Sequence, residues 1–170
     1  MFRAVPREDD MEPSDLSIER EDPSSPDGAM LIGELSAELG ERYGDDGGGD
    51  FEPEEARTPG SAFLVARLDG RPVACGALRP FGLEAPHAVE IRRMYVRPEM
   101  RGQHMSRSIL AALEKAARAS GYTHVRLETG LRQPEAIRLY ISAGYSRIPR
   151  YGRCVGNPLS ACFEKTLGKD

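Results

Sequence analysis

Two side chains in this chain have the type and setting for proton transfer, and one short segment suits an anion. Tyr140 sits among apolar residues at helical spacing, where a tyrosine on its own reads as a packing side chain, although its phenol, with a reference pKa of about 10, is of a type that can donate a proton. Glu90 interrupts the apolar run His87-Ala88-Val89-Glu90-Ile91, where a carboxylate is either a general base or half of an ion pair. In a regular strand Glu90, Arg92 and Met94 share a face, and pairing with Arg92 would make Glu90 a poorer base; a bulge there would re-aim Arg93. The segment Arg101-Gly102-Gln103-His104-Met105-Ser106 lies between a strand ending at Val96 and a helix that starts at once. Such a turn aims unpaired amides and the positive end of a helix dipole at one point, and Arg101 adds a charge. Phosphate is the ligand this suits. No Gly-Lys-Ser/Thr follows, and Gly-x-Gly-x-x-Gly is absent, so neither a nucleotide P-loop nor a dinucleotide fingerprint is present.

The other reactive residues point elsewhere. His87, His104 and His124 lack metal-ligand spacing, and Cys75, Cys154 and Cys162 are odd in number without Cys-x-x-Cys, so no metal site and no disulfide framework is expected. Cys75 falls inside a strand and reads as a buried thiol. His104 is the histidine placed to donate to a bound phosphate when protonated.

The elements that must position these residues follow from periodicity. Leu16 to Arg20 alternates as a short strand. Asp27 can cap a helix through Met30, Leu31, Leu35 and Leu39 that stops near Gly40 or Gly44. Ala62–Leu68 and Val73–Leu78 flank Asp69-Gly70, a tight hairpin turn. His87–Val96 is a third strand, Ser106–Ser120 a helix with Ile109, Leu113 and Ala116 on one stripe, and Tyr122–Thr129 the next strand. Strand, crossover helix and strand form a right-handed unit with parallel strands. Gln133–Ala143 is a further helix opening on Pro134. Tyr145–Ile148 and Ser160–Leu167 are the last strands, joined by a turn-rich loop around Tyr151 to Pro158. The class is α/β (α+β), with a mixed, twisted sheet of about six or seven strands and flanking helices in one domain.

Composition narrows the function. A chain of 170 residues is the size of one domain, and a net charge of -4 gives no general attraction for nucleic acid. No apolar run approaches the ~20 residues of a membrane span, and the cysteine usage fits a reducing cytoplasm. Residues 1–15 are too polar to fold alone and read as a mobile extension before a domain over 16–170. Glu41 to Glu55 carries seven acidic residues against one arginine and reads as a solvated loop or as a lip attracting a cationic amine.

Two segments carry a family resemblance. Arg101-Gly102-Gln103-His104-Met105-Ser106 resembles the acyl-CoA pyrophosphate loop of the GNAT superfamily of N-acetyltransferases, Gln/Arg-x-x-Gly-x-Gly/Ala. His104 replaces its glycine, and a Cβ there restricts positive φ and close ligand approach. Gln133-Pro134-Glu135-Ala136-Ile137-Arg138-Leu139-Tyr140-Ile141-Ser142-Ala143-Gly144-Tyr145 is similar to the second signature, Asn-x-x-Ala-x-x-Leu-Tyr-x-x-x-Gly-Phe/Tyr, with Gln133 in place of asparagine. The two stand in the right order about thirty residues apart, and the element order matches as well.

The resemblance implies acetyl-CoA as co-substrate and direct acetyl transfer to a primary amine on a small molecule or peptide. Met94, Tyr95 and Val96 would pair with the pantetheine arm, and a main-chain amide near Met94 or Tyr95 would polarise the thioester carbonyl. Arg101, Gly102, Gln103, His104, Met105 and Ser106 would hold the pyrophosphate, and Gln133 would reach a cofactor group. Tyr140 takes the family's general-acid position, and Glu90 matches a glutamate that serves some members as base. Members are often homodimers. The rival reading is a CoA-binding regulator or catalytically weak relative, suggested by His104 and Gln133.

Overall fold

The computed structural model describes residues 15–44 and 51–169. Residues 1–14, most of the expected extension, and residues 45–50 of the acidic stretch lie outside the described residues. Asp15 belongs to the fold. Its amide donates to Asp69 Oδ1 at 2.8 Å and its carbonyl accepts from the Asp69 amide at 2.8 Å.

Seven strands form one sheet: β1 (Leu16–Arg20), β2 (Ala62–Leu68), β3 (Arg71–Pro80), β4 (Ala88–Val96), β5 (His124–Gly130), β6 (Ser146–Ile148) and β7 (Ser160–Thr166), in the order β1-β2-β3-β4-β5-β7-β6. All neighbours are antiparallel except β4 and β5. Those two are joined by the crossover helix α2 (Met105–Ala119), as the strand-helix-strand pattern requires. The β2–β3 hairpin turns at Asp69 and Gly70, both with positive φ (50° and 78°), the geometry of a two-residue turn.

Helices α1 (Pro26–Tyr43) and α3 (Pro134–Ser142) complete the layers. The N-cap of α1 is Ser25, not the expected Asp27. With Pro26 at N1, the residue before it holds the cap, and its hydroxyl accepts from the Gly28 amide at 3.1 Å. Asp27 instead pairs with Arg67. The helix runs to Tyr43 and stops at Gly44 in the left-handed conformation, so Glu41 is helical rather than loop. Pro53–Ala56, at the other end of the acidic stretch, is a 3-10 turn.

Each face of the sheet has its own packing. Val89, Ile91, Val125 and Leu127 meet Ile109 and Leu113 of α2, with Tyr140 of α3 at the edge of the cluster. On the other face Phe63, Val65, Cys75 and Tyr95 meet Leu31 and Leu35 of α1. Ile109 and Leu113 are 0% exposed, and truncating either to alanine removes packing worth about 2–5 kcal/mol. The α2 layer comes close to β3 because Gly76 has no Cβ; one placed there would stand 2.6 Å from Leu113 Cδ1.

Two irregularities shape β4. Opposite Gly76, the register slips from Cys75↔Tyr95 to Ala77↔Arg92, so Arg93 and Met94 face one residue and Arg93 takes φ 54°. This is the bulge that re-aims Arg93, whose guanidinium lies over the Phe51 ring at 5.8 Å. The second irregularity is a split. The parallel ladder runs only from Ala88↔His124 to Ile91↔Leu127, while β4 continues to Val96 and β5 to Gly130. Beyond Ile91 the edge of β4 toward β5 has no strand partner.

Candidate active site

At the start of α2, amides accumulate without acceptors. The Met100 and Arg101 amides close a 3-10 turn on Arg97 and Pro98, and the Ser108 amide donates to His104. Among the described residues nothing accepts from the amides of Gly102, Gln103, His104, Met105, Ser106 or Arg107, and no side chain caps the helix. Unaccepted donors at the positive end of a fifteen-residue helix suit an anion with several oxygens. His104 adopts the conformation that glycine would favour, φ 60° and ψ 12°, at a cost of about 1–2 kcal/mol. Arg101 is held in place: its Nε donates to the Val96 carbonyl at 3.0 Å, its Nη2 pairs with Glu38 of α1 at 2.6 Å, and it lies over the Tyr95 ring.

From this loop a cavity of about 1360 Å³ runs through the split in the sheet. Glu90, Met94, Tyr95, Val96, Arg101, Gly102, Met105, Ser106, Gln133 and Tyr140 all line it. Gln103 and His104 contribute backbone to the loop but do not line the cavity, and Gln103 donates to the Glu99 carbonyl at 3.3 Å.

Tyr140 stands on the α2/α3 side, 6% exposed, edge-on to Tyr145 at 5.8 Å. No group among the described residues hydrogen-bonds its hydroxyl, and burial, with Glu128 nearby, pushes its pKa above the ordinary phenol value. Tyr145 is fixed by donating to Glu114 at 3.0 Å, and Glu114 is also paired with Lys165 at 3.0 Å.

On the opposite face, alternation along the strands gathers a polar cluster. Glu90 is 4% exposed with both oxygens engaged. Arg79 donates to Oε2 from Nε at 3.1 Å and again from Nη2, and the Tyr151 hydroxyl donates to Oε1 at 2.9 Å. Arg92 approaches Oε2 only to 3.7 Å. Glu128 of β5 faces the cleft, and the Ser160 hydroxyl donates to it at 2.9 Å. Burial raises its pKa, opposed by that hydrogen bond and by the charge of Arg92. Sequence reasoning missed Arg79, Glu128, Tyr151 and Ser160. The readable signal was the alternation Val125-Arg126-Leu127-Glu128, which puts two charges on one face of an interior strand. The Cys75 thiol is 0% exposed, donates to the Arg93 carbonyl at 3.4 Å and is pushed up to about 12 by burial.

A latch closes the tip of the split. Helix α1 rests on β3 and β4, and at its end Arg42 pairs with Glu135 of α3 at 2.5 Å and donates to the Arg132 carbonyl at 3.2 Å. Arg132 returns a bond to the Arg42 carbonyl at 3.0 Å and lies over the Tyr43 ring. Gln133, the N-cap of α3, makes no side-chain cap bond; its amide donates to the Tyr43 hydroxyl at 3.4 Å. Tyr43 fits because residue 130 is glycine: a Cβ there would lie 1.7 Å from the tyrosine oxygen.

Comparison with known proteins agrees with this geometry. The model of the acetyltransferase (GNAT) family matches residues 29–145. The chain is 35% identical to a protein of Azospirillum brasilense named IAA acetyltransferase, over 89% of this chain and 98% of that one. A Klebsiella pneumoniae structure assigned as an acyl-CoA N-acyltransferase superposes with a TM-score of 0.75 at 30% identity, covering 90% of this chain and 98% of the other. A Salmonella typhimurium acetyltransferase structure, solved with its cofactor acetyl-CoA, superposes with a TM-score of 0.67 at 20% identity, covering 91% and 95%, which speaks to the fold alone. A loop of unaccepted amides, a split between the two parallel strands, and a family match over most of the folded chain lead to one assignment: this protein belongs to the GNAT family of acetyltransferases.

Proposed function

We propose that the protein transfers the acetyl group of acetyl-CoA directly to a primary amine. The observation that carries this reading is the run of unaccepted amides from Gly102 to Arg107 at the mouth of the split, a built receptor for a diphosphate. Acetyl-CoA supplies an activated acyl group and a sulfur leaving group. The chain's own part is to hold the diphosphate on these amides and offer the unpaired edge of Met94 to Val96 to an amide-bearing arm. Its remaining task is to stabilise charge at the sulfur.

Tyr140 does the last of these. Its raised pKa keeps the hydroxyl protonated through the physiological range, so a donor is always present. The same shift widens the gap to a thiol near 8.5, so complete transfer to the sulfur is uphill and Tyr140 acts chiefly as a hydrogen-bond donor to the developing thiolate. Glu90, with both oxygens engaged by Arg79 and Tyr151, holds its neighbours in position. The test is titration calorimetry with acetyl-CoA followed by thiol release across an amine panel. Saturable binding with amine-dependent thiol release is expected. Binding with no turnover on any amine would identify a CoA-binding relative without this activity.

A further inference from the structure

The polar face beyond the split has a charge pattern that selects an acceptor. Most cations lining it are already satisfied. Arg79 is held by Glu90 and Glu55, Arg126 by Glu164 at 2.6 Å, and Arg93 and Arg153 have partners of their own. Arg92 differs. Only 15% of its side chain is exposed, and among the described residues it makes no hydrogen bond, its nearest carboxylate oxygen being the one on Glu90 at 3.7 Å. A guanidinium carries five N–H donors, so a cleft-facing one whose ion-pair contact, at 3.7 Å, is too long for a hydrogen bond has donors to spare. Among the anions the same holds for Glu128. It opens onto the cleft, has no ion-pair partner among the described residues, and receives one neutral hydrogen bond, from Ser160. Arg92 and Glu128 stand on β4 and β5, on either side of the split, close enough to feel each other's charge yet not paired.

We infer that the acceptor is an amine carrying its own acidic group, such as an amino acid, with Arg92 taking the acid and Glu128 taking a proton from the ammonium. The inference rests on the acetyl-transfer reading above. Loss of one ammonium proton to Glu128 frees the nitrogen lone pair. The C–N bond then forms as the C–S bond breaks, and the second proton on nitrogen passes to the departing thiolate, which the Tyr140 hydroxyl stabilises by donating a hydrogen bond. The free thiol leaves while Glu128 returns its proton to solvent. The groups bearing on Glu128 are Glu90 and Arg92 from β4, Cys162 and Ser160 from β7, Cys154 from the covering loop and Tyr140 from α3. Desolvation raises the Glu128 pKa above the ordinary carboxylate value, the direction that suits a base.

The test compares, in the intact protein with acetyl-CoA, thiol release from each of the common amino acids, its methyl ester and its decarboxylated amine. The free acid of the preferred set is expected to exceed its ester and its amine by about 30-fold in kcat/KM, the worth of a charged hydrogen bond. Arg92→Ala should bring acid and ester close to parity by raising KM for the acid, with the affinity for acetyl-CoA unchanged. Arg92→Lys should restore part of the preference. Glu128→Gln should lower kcat and abolish the acidic limb of the pH profile, which loss of packing alone would not do. If the esters or the decarboxylated amines react as well as the acids in the unaltered protein, the acidic-acceptor inference is wrong and acetyl transfer stands. If acetyl-CoA binds and no amine of any kind releases thiol, both fall.

Discussion

Tyr140 and His104 illustrate how one residue's surroundings set what it can do. The Tyr140 hydroxyl lines the cavity and has no partner among the described residues, so replacing it removes a donor without unpairing a neighbour. Tyr140→Phe should therefore lower kcat by about 10–100-fold and leave the calorimetric affinity for acetyl-CoA within about twofold. His104 bears a side chain in a left-handed conformation. His104→Gly relieves about 1 kcal/mol of backbone strain. It also adds unfolded-chain freedom worth about 0.5–1 kcal/mol, so stability measured by denaturant should barely move. Affinity for acetyl-CoA should rise, because the amides become easier to approach. Both residues were legible from their place in short patterns. Arg92 and Glu128 were not legible as a pair, because their relation depends on where the ladder between two strands stops, and nothing local to either strand encodes that.

At the level of elements, periodicity located nearly everything, and errors fell where side chains compete for one role. The strands and helices follow from alternation, from the 3.6-residue repeat and from the glycines and prolines between them. The cap of α1 was misassigned between Ser25 and Asp27 because both residue types cap well; Pro26 decides for Ser25. The bulge at Arg93 was visible only as a possibility, since its cause lies on the neighbouring strand. The latch at the end of α1 was invisible in the sequence, for Tyr43 and Gly130 are distant and neither is conspicuous. It gives a sharp expectation. Gly130→Ala must expel the Tyr43 ring, because the added carbon would lie 1.7 Å from the tyrosine oxygen. The helix end and the Arg42–Glu135 pair should then separate, and limited proteolysis should cut near Arg42 in the variant before it does so in the parent. The loss of global stability should stay near 1 kcal/mol, since the exposed ion pair contributes about 0–1 kcal/mol.

For the molecule as a whole, the site is held at a cost to folding that pH can reveal. Burial raises the Glu128 pKa above its unfolded value, so the folded state binds this proton more tightly than the unfolded chain does. The associated stability is complete below the unfolded pKa of about 4.3 and is lost as pH rises through the folded value. Glu128→Gln keeps a neutral side chain at every pH. It should match the parent near pH 4 and melt slightly higher at pH 8, by a small margin because Glu128 is exposed to solvent in the cleft. A melting difference that is equal at both pH values would show that ionisation of Glu128 is not the source.

The parting of β4 from β5 also bears on the order of events in a turnover. The amide loop lies at the start of α2, whereas Arg92 and Glu128 line the same cavity from the face that α1 covers, so in the proposed reaction the two guests would meet from opposite faces of the sheet. Neither has to vacate the room before the other is admitted, and no side chain has to carry the acyl group between visits. Initial-rate lines at several fixed concentrations of one guest should therefore converge instead of running parallel, the mark of an encounter among three bodies at once.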